Sequence, residues 1–284
     1  MGERRRTALV TGASRGIGKA VAIALARRGY DVAITARTLN EGDPSSIAPE
    51  NGTSLPGSLA TTAVAIESVG SGARAVPVAL DLLQLDTLAD AVDAAIDGLG
   101  GRLDVLVNNA IYVGPGSELR FGDCPPDDLV RRVTGNVTAQ LLITQHVLQH
   151  MLGNGGGTVV GVTSAAGQNT PRKPVGEGGW SLAYAVTKAG FHRIADMLVV
   201  EYGDHGIRSF NVNPGFVATE RVLAGGEQLD FVAKRGIAPD VIGAAIASLV
   251  DDPEVTNGGY VHALDRAIEL GLVEPRGGGA KVAS

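Results

Sequence analysis

Residues 11–18 are Thr11-Gly12-Ala13-Ser14-Arg15-Gly16-Ile17-Gly18, and they indicate the class of fold. They join an apolar run at 7–10, typical of a buried strand, to a helical pattern at 18–29. Gly12 permits a tight turn, Gly16 lets the backbone approach a diphosphate, and Gly18 lets helix and strand pack closely. Free amide groups at the start of the helix attract phosphate. The spacing Gly-x-x-x-Gly-x-Gly differs from the commoner dinucleotide-binding pattern, and the alternative interpretation is a purely structural turn.

Short apolar runs alternate with longer helical patterns along most of the chain. This alternation predicts β-α-β units around a parallel sheet with helices on both faces. Right-handed crossovers make such a sheet a doubly wound, Rossmann-like α/β domain. The predicted strands are residues 7–10, 31–35, 75–80, 105–107, 158–163, 208–212 and 260–263. The predicted helices are residues 18–29, 61–70, 85–99, one long helix within 126–151, 184–202 and 240–249.

The pattern predicts one domain, over residues 1–270, that binds the cofactor and carries the catalytic residues. Residues 271–284 contain several glycines, and we expect them to form a partly mobile tail. Two long connections interrupt the alternation, at 38–59 and at 168–180. Loops of this length in a compact domain are usually functional or disordered, so both connections are candidates for a functional role.

Composition narrows the class of protein. The chain has 284 residues, of which 44% are hydrophobic and 19% charged, and its net charge is −6. These values predict a large core and argue against nucleic acid as a partner. No uninterrupted apolar run is long enough for a membrane span. The single cysteine, Cys124, forms no internal disulfide, and we expect a cytoplasmic protein.

The end of the second predicted strand bears on the choice of cofactor. An acidic residue there binds the ribose 2′-hydroxyl of NAD and repels a 2′-phosphate. This chain has Ala36 followed by Arg37, and Arg15 lies in the glycine loop. Two guanidinium groups favour the phosphate of NADP(H), to which arginine makes charge-assisted contacts. The alternative is that both arginines are solvated surface residues.

A phenol and an ammonium group lie four residues apart in Tyr184-Ala185-Val186-Thr187-Lys188, so on a helix they share a face. Tyrosine titrates near pH 10, and a nearby lysine and an oxidised nicotinamide would lower that value. Ser164 ends a predicted strand, where its hydroxyl can hold a substrate oxygen beside Tyr184. Asn136 lies within the long predicted helix and is a candidate for holding a water that links Lys188 to solvent; a satisfied buried amide is the alternative.

Taken together, these motifs resemble those of the short-chain dehydrogenase/reductase family over about residues 5 to 265. The resemblance rests on residues 11–18, Asp81, Asn108-Asn109-Ala110, Asn136, Ser164, Tyr184 with Lys188, and Pro214-Gly215 through Thr219. It implies an Asn136-Ser164-Tyr184-Lys188 active site and an NADP-preferring member. It also implies that Asp81 contacts the adenine, Asn109 the adenine-side ribose, and residues 214–219 the carboxamide. The cofactor-binding set is then Gly12, Ser14, Arg15, Gly16, Ile17, Gly18, Arg37, Asp81, Leu82, Asn109, Ala110, Tyr184, Lys188, Pro214, Gly215, Val217 and Thr219.

The chain departs from the family pattern in four places. Ile111 replaces the usual glycine after Asn-Asn-Ala. Tyr184 follows Ser164 by several residues more than is typical, and the extra segment is expected to border the substrate mouth. The loop after the second strand is longer than usual. Ala263-Leu264-Asp265 stands where the family commonly has Asp-Gly-Gly.

The sequence therefore predicts an oxidoreductase that moves a hydride between NADP(H) and a carbonyl or alcohol, with Tyr184 as general acid and base. The expected partners are a small-molecule substrate and further copies of the chain, in a homodimer or homotetramer. We predict no metal; His146 and His150 have a zinc-like spacing but no third ligand. An NAD-preferring alcohol dehydrogenase and a non-catalytic NADP-binding regulatory protein remain the alternatives. A fold does not identify a substrate.

Overall fold

A computed structural model describes residues 4–48, 52–226 and 229–274 of the chain. It contains one seven-stranded sheet with the order β3-β2-β1-β4-β5-β6-β7. Every neighbouring pair of strands is parallel, which confirms the predicted doubly wound, Rossmann-like sheet. The strands are β1 (Thr7–Thr11), β2 (Asp31–Ala36), β3 (Ala75–Ala79), β4 (Val105–Asn108), β5 (Gly157–Val162), β6 (Ile207–Asn213) and β7 (Tyr260–His262).

The helices follow the predicted pattern with one correction and three additions. The long helix expected within 126–151 is two helices, separated by a π-helical turn at Thr134–Thr138. Three short helices near the C-terminal end had no clear signal in the sequence. The helices are α1 (Gly16–Arg27), α2 (Leu59–Glu67), α3 (Leu88–Gly98), α4 (Pro126–Val133), α5 (Ala139–Gly153), α6 (Leu182–Tyr202), α7 (Glu220–Ala224), α8 (Asp230–Arg235), α9 (Pro239–Asp251) and α10 (Ala263–Glu269).

The core forms two layers, one on each face of the sheet. Side chains alternate along a strand, so Ala8 and Val10 of β1 point to one layer and Leu9 points to the other. Helices α1, α2, α9 and α10 cover the first face, and α3, α5 and α6 cover the second. A strand covered on both faces is shielded from water along its length, which explains why all five residues of β1 are buried, including Thr7 and Thr11.

The strand order reverses between β1 and β4, because the chain moves outward from β1 to β3 and then returns. In open α/β sheets, ligands bind outside the carboxyl ends of the strands at this switch point. The glycine loop follows β1 and Asn109 follows β4, so the two lie side by side at that crevice. In the part of the chain that the structure describes, no helix is both long and apolar enough to cross a bilayer.

The two long connections are more structured than the sequence suggests. The first includes a 3₁₀ turn at Pro44–Ser46 and a bridge between Ile47 and Ser54. The second includes a bridge between Val175 and Gly179. Of the predicted tail, residues 275–284 lie outside the described residues, so the proposed boundary at 270 stays a prediction.

Candidate active site

The glycine loop after β1 has the backbone shape that its sequence predicts. Gly12 and Gly16 have positive φ angles of 69° and 57°, which side chains disfavour. A Cβ atom on Gly18 would lie 2.3 Å from the carbonyl oxygen of Gly12, so only glycine fits there. The Asn109 amide donates to the carbonyls of Thr11 at 2.9 Å and Gly12 at 3.2 Å. Asn109 therefore ties the end of β4 to the glycine loop across the switch point.

The start of α1 is the part of the loop suited to phosphate. Arg15 precedes the helix in an extended conformation and makes no side-chain cap. The backbone N–H of Gly16 donates to the Glu220 carboxylate at 2.9 Å. A Cβ atom on Gly16 would lie 3.2 Å from Cγ2 of Thr219. The loop and residues 214–220 after β6 are thus in direct contact, as one binding site requires.

The remaining cofactor candidates lie where strands end. Asp81 follows β3 and accepts the N–H of Leu83 at 3.0 Å, while Leu82 is buried beside it. The N–H of Ala110 donates to the Thr11 hydroxyl at 3.0 Å. After β6, the N–H of Gly215 donates to the Asn213 amide oxygen at 3.0 Å. Three neighbours complete these segments: Ser14 and Val217 are buried, and Ile17 is partly buried against the core.

Arg15 and Arg37 have different surroundings. Arg15 donates through Nε to the Pro56 carbonyl at 2.9 Å and through Nη2 to the Gly57 carbonyl at 2.6 Å. Burial lowers the pKa of Arg15; the charges of Arg221 and Arg37 also lower it, and those of Glu220 and Glu41 raise it. Arg37 is exposed. The two guanidinium groups are therefore close enough to interact, but Arg15 is already engaged by the β2–α2 connection.

Tyr184, Lys188 and Ser164 come together at the carboxyl end of β5. Ser181 caps α6 by accepting the N–H of Tyr184 at 3.4 Å, which places Tyr184 in the first turn. One turn later, the buried Lys188 ammonium donates to the carbonyl of Val162, the last residue of β5, at 3.0 Å. Ser164 follows two residues after Val162, and its hydroxyl is close enough to the Tyr184 phenol to lower the pKa of Tyr184.

The titration of this group differs in part from expectation. Burial raises the pKa of Tyr184, and the hydrogen bond from Ser164 lowers it by less. We expected Lys188 to lower the pKa of Tyr184, but here the Lys188 ammonium is directed to the Val162 carbonyl. Burial lowers the pKa of Lys188 itself to about 8. The phenol is therefore protonated at neutral pH, and the ammonium stays mostly charged.

Asn136 lies in the π-helical turn and is buried. Its side chain pairs with the backbone of Tyr112: Oδ1 accepts the N–H at 2.7 Å, and Nδ2 donates to the carbonyl at 3.0 Å. The amide is thus anchored to the chain after β4, and it makes no direct hydrogen bond to Lys188. Gln140, which no sequence motif singles out, donates to the Ala110 carbonyl at 3.1 Å and supports the same segment.

Residues 168–180, which the sequence predicts at the substrate mouth, precede α6 and contact it through Gln168. Gln168 Nε2 lies 2.9 Å from His192 Nε2 on α6, and Glu177 pairs with Arg120 at 3.2 Å. Elsewhere, His146 of the zinc-like pair contacts Asp93 at 2.6 Å. Within the described ranges, no three His, Cys, Asp or Glu side chains form a group that could hold a metal.

Comparison with known proteins identifies the family of the chain. The family model described as short chain dehydrogenase matches residues 6–51 and 53–228. Gluconate 5-dehydrogenase of Gluconobacter oxydans (strain 621H) is 31% identical over 84% of this chain and 85% of its own length. A 3-oxoacyl-[acyl-carrier-protein] reductase of Synechocystis sp. is 30% identical over 94% of this chain and 97% of its own length.

Solved structures agree with this result. The structure of a 3-oxoacyl-[acyl-carrier protein] reductase from Brucella melitensis, in complex with NAD, superposes with a TM-score of 0.73. The two sequences are 25% identical, and the match covers 94% of this chain and 99% of that one. The chain therefore belongs to the short-chain dehydrogenase/reductase family, oxidoreductases that act on a hydroxyl or carbonyl group with a nicotinamide cofactor.

Proposed function

We propose that this protein is an NADP(H)-dependent carbonyl reductase or alcohol dehydrogenase in which Tyr184 moves the proton. The observation that carries the proposal is the convergence of three side chains at the end of β5. The Lys188 ammonium lies 3.0 Å from the Val162 carbonyl, and Ser164, two residues on, is close enough to Tyr184 to lower the pKa of its phenol. A hydroxyl beside a phenol, with an ammonium one helical turn away, is suited to general acid–base work on a carbonyl oxygen.

In reduction, the substrate oxygen lies between the Ser164 hydroxyl and the Tyr184 phenol. Ser164 donates a hydrogen bond that orients and polarises the carbonyl, and Tyr184 gives its proton to the oxygen. The raised pKa of Tyr184 keeps that proton available at neutral pH. In oxidation, the tyrosine oxygen takes the proton from the alcohol. The nicotinamide, when bound, supplies or accepts the hydride.

Lys188 and Asn136 support this proton transfer. Lys188 would hold the nicotinamide ribose through its ammonium, and its positive charge favours the phenolate when Tyr184 loses its proton. Asn136 is assigned to the proton relay, the water that links Lys188 to solvent. Because its amide is held by the Tyr112 backbone, we assign it the task of fixing the π-helical turn beside α6.

The residues around the switch point fit a dinucleotide. The glycine loop brings backbone amides to the start of a helix, which is the chemistry a diphosphate requires. Asp81 and Leu82 are assigned to the adenine, Asn109 and Ala110 to its ribose, and residues 214–219 to the carboxamide. Besides Tyr184, Lys188 and the two arginines Arg15 and Arg37, the remaining members of the set are Gly12, Ser14, Gly16, Ile17 and Gly18.

The preference for NADP(H) rests on the end of β2. Ala36 leaves no carboxylate to bind a ribose 2′-hydroxyl, and the exposed Arg37 follows it. The charge of Arg37 contributes to lowering the pKa of Arg15, so the two guanidinium groups lie in the same region of the site. Glu41, whose charge also acts on Arg15, favours the alternative of an NAD-preferring alcohol dehydrogenase.

We further propose a small-molecule carbonyl or alcohol as substrate and a cytoplasmic homodimer or homotetramer as the working form. Support for an oligomer comes from apolar side chains exposed along α6. Val186 is 54%, Met197 41% and Val200 78% exposed, and their spacing places them on one face of the helix.

The substitution Tyr184→Phe tests the catalytic assignment. It removes the proton donor but leaves the ring, so we expect the rate of NADPH-dependent reduction to fall about 100-fold or more. The measurement is turnover on a panel of ketones, diketones and aldehydes, with NADPH and NADH binding followed by fluorescence titration. Binding of the cofactor should stay unchanged.

The matched control is Tyr202→Phe, which removes a hydroxyl near the other end of α6 and should leave turnover intact. Unchanged turnover in Tyr184→Phe would contradict the assignment. Cofactor binding without turnover of any carbonyl by the unmodified protein would favour the regulatory alternative.

A further inference from the structure

Glu220 joins two parts of the site that lie far apart in sequence. It is the first residue of α7 and directly follows the segment assigned to the carboxamide. Its carboxylate accepts the N–H of Gly16, the first residue of α1, at 2.9 Å. The contact therefore connects the helix after β6 to the helix after β1.

Among the described residues, no second carboxylate accepts a hydrogen bond from the start of α1. The first amide groups of a helix have no acceptor within the helix, and they carry a partial positive charge. The residue before α1, Arg15, provides no side-chain cap, and the first turn contains no acidic residue. Glu220 supplies the missing negative charge. The Glu220 carboxylate thus accepts the hydrogen bond from the N–H group that we assign to a phosphate of the cofactor.

We propose that Glu220 competes with the cofactor's diphosphate for the start of α1 and has to leave Gly16 when the cofactor binds. The proposal rests on the assigned dinucleotide site. Two anions at one amide repel each other, and the amide has a single hydrogen to donate. Glu220 is then a residue that lowers the affinity for the cofactor.

The contact also couples the two halves of the site. Thr219 caps α7 by accepting the N–H of Val222 at 3.4 Å, and its methyl group lies close to Gly16. The residues of α7 are exposed or half-buried. Release of Glu220 breaks the contact between α7 and α1, while residues 216–218 stay hydrogen-bonded to Ile237. Arrival of the diphosphate therefore acts on the helix that directly follows the segment assigned to the carboxamide.

The test is a calorimetric titration of the full chain with ADP, adenosine, NADPH and NADH. In Glu220→Gln the side chain keeps its size but loses its charge. We expect ADP and the favoured dinucleotide to bind roughly fivefold more tightly than to the unmodified protein. Adenosine carries no phosphate, and its affinity should not change. Glu220→Ala should also raise the affinity for ADP and for the favoured dinucleotide, and it leaves no side-chain hydrogen bond to Gly16.

Glu254→Gln is the control, because it makes the same change in net charge at an exposed site between α9 and β7. It should leave all four affinities unaltered. If both Glu220 variants bind ADP and dinucleotide with equal or weaker affinity, Glu220 is a structural cap and the proposal is wrong. Failure of the proposed function is a separate result, in which the unmodified protein binds neither NADPH nor NADH.

Discussion

Burial of the Lys188 ammonium destabilises the folded protein. Its side chain is only 9% exposed, and its ammonium donates to the Val162 carbonyl at 3.0 Å. The Phe191 ring centroid lies 5.3 Å away. A buried ammonium is disfavoured unless it is well paired, and one carbonyl is a weak substitute for water. This is why burial lowers the pKa of Lys188 from 10.5 to about 8.

The pH dependence of stability follows from that pKa. Between about pH 8 and 10.5 the unfolded chain binds more protons at Lys188 than the folded chain, so stability rises with pH in this window. Below about pH 8 the destabilisation is fully present. We expect Lys188→Met to raise the free energy of unfolding at pH 7 by up to about 3 kcal/mol.

The measurement is urea unfolding at pH 7 and pH 10. The gain from Lys188→Met should shrink at the higher pH, where the unmodified lysine is neutral when folded. Lys19→Met, a change on the partly exposed side of α1, should give no comparable gain. A less stable Lys188→Met protein at pH 7 would show that the bond to Val162 outweighs the cost of burial.

The connection between β2 and α2 is the element that distinguishes the two arginines assigned to the 2′-phosphate. The Arg15 guanidinium is held by the carbonyls of Pro56 and Gly57. The Glu41 carboxylate accepts the N–H of Gly57 at 3.0 Å and so fixes the same turn. Arg37 lies at the other end of the connection and is exposed. Arg37 should therefore carry the larger share of any phosphate contact.

Arg37→Asp places a carboxylate where the 2′-phosphate is expected. Hydrogen bonds to charged groups are worth about 1.5–3 kcal/mol, so we expect roughly a 10- to 100-fold loss of NADPH affinity. NADH affinity should be unchanged or improved. Fluorescence titration measures both, with Arg27→Asp at the exposed end of α1 as the charge-matched control. Equal NADPH and NADH affinities that Arg37→Asp leaves unaltered would instead support the NAD-preferring alternative.

The whole molecule leaves an apolar surface on one side of the sheet. Besides the α6 face of Val186, Met197 and Val200, α4 exposes Val130 and α5 exposes Leu141. Helices α4 and α6 pack against each other, so Val130 belongs to an element adjacent to the exposed face of α6. Exposed apolar surface of this kind marks an interaction site when it is contiguous, and the proposed oligomer would bury it against a second copy of the chain.

Val200→Asp tests whether this surface forms the proposed oligomer. A charge at the most exposed apolar residue of α6 should dissociate the assembly, because a buried unpaired carboxylate is strongly disfavoured. Light scattering after size exclusion should then give a smaller mass than for the unmodified protein. Val64→Asp makes the same change on α2, where Val64 is 65% exposed, and should leave the mass unaltered. An unchanged mass in Val200→Asp would place the interface elsewhere.

Local sequence patterns were sufficient for the fold and for the identity of most site candidates. Strand and helix periodicities are properties of neighbouring residues, and β-α-β alternation leaves one common topology. The glycine loop could be predicted because Gly12, Gly16 and Gly18 lie within one short segment, where a positive φ angle or a close backbone approach requires glycine. Tyr184 and Lys188 were expected on one face of a helix because four residues make about one turn, and both lie in α6; their catalytic roles stay a prediction.

Contacts between distant segments could not be predicted from local sequence patterns. The π-helical turn was missed because an extra residue in a helix leaves the apolar pattern almost unchanged, yet it accompanies the pairing of Asn136 with Tyr112. Glu220 and Gly16 are 204 residues apart, and no local rule connects them. Local sequence thus shows which residues can do the chemistry. Packing of the strands and helices selects their partners, because a hydrogen bond depends on position in space and not on spacing along the chain.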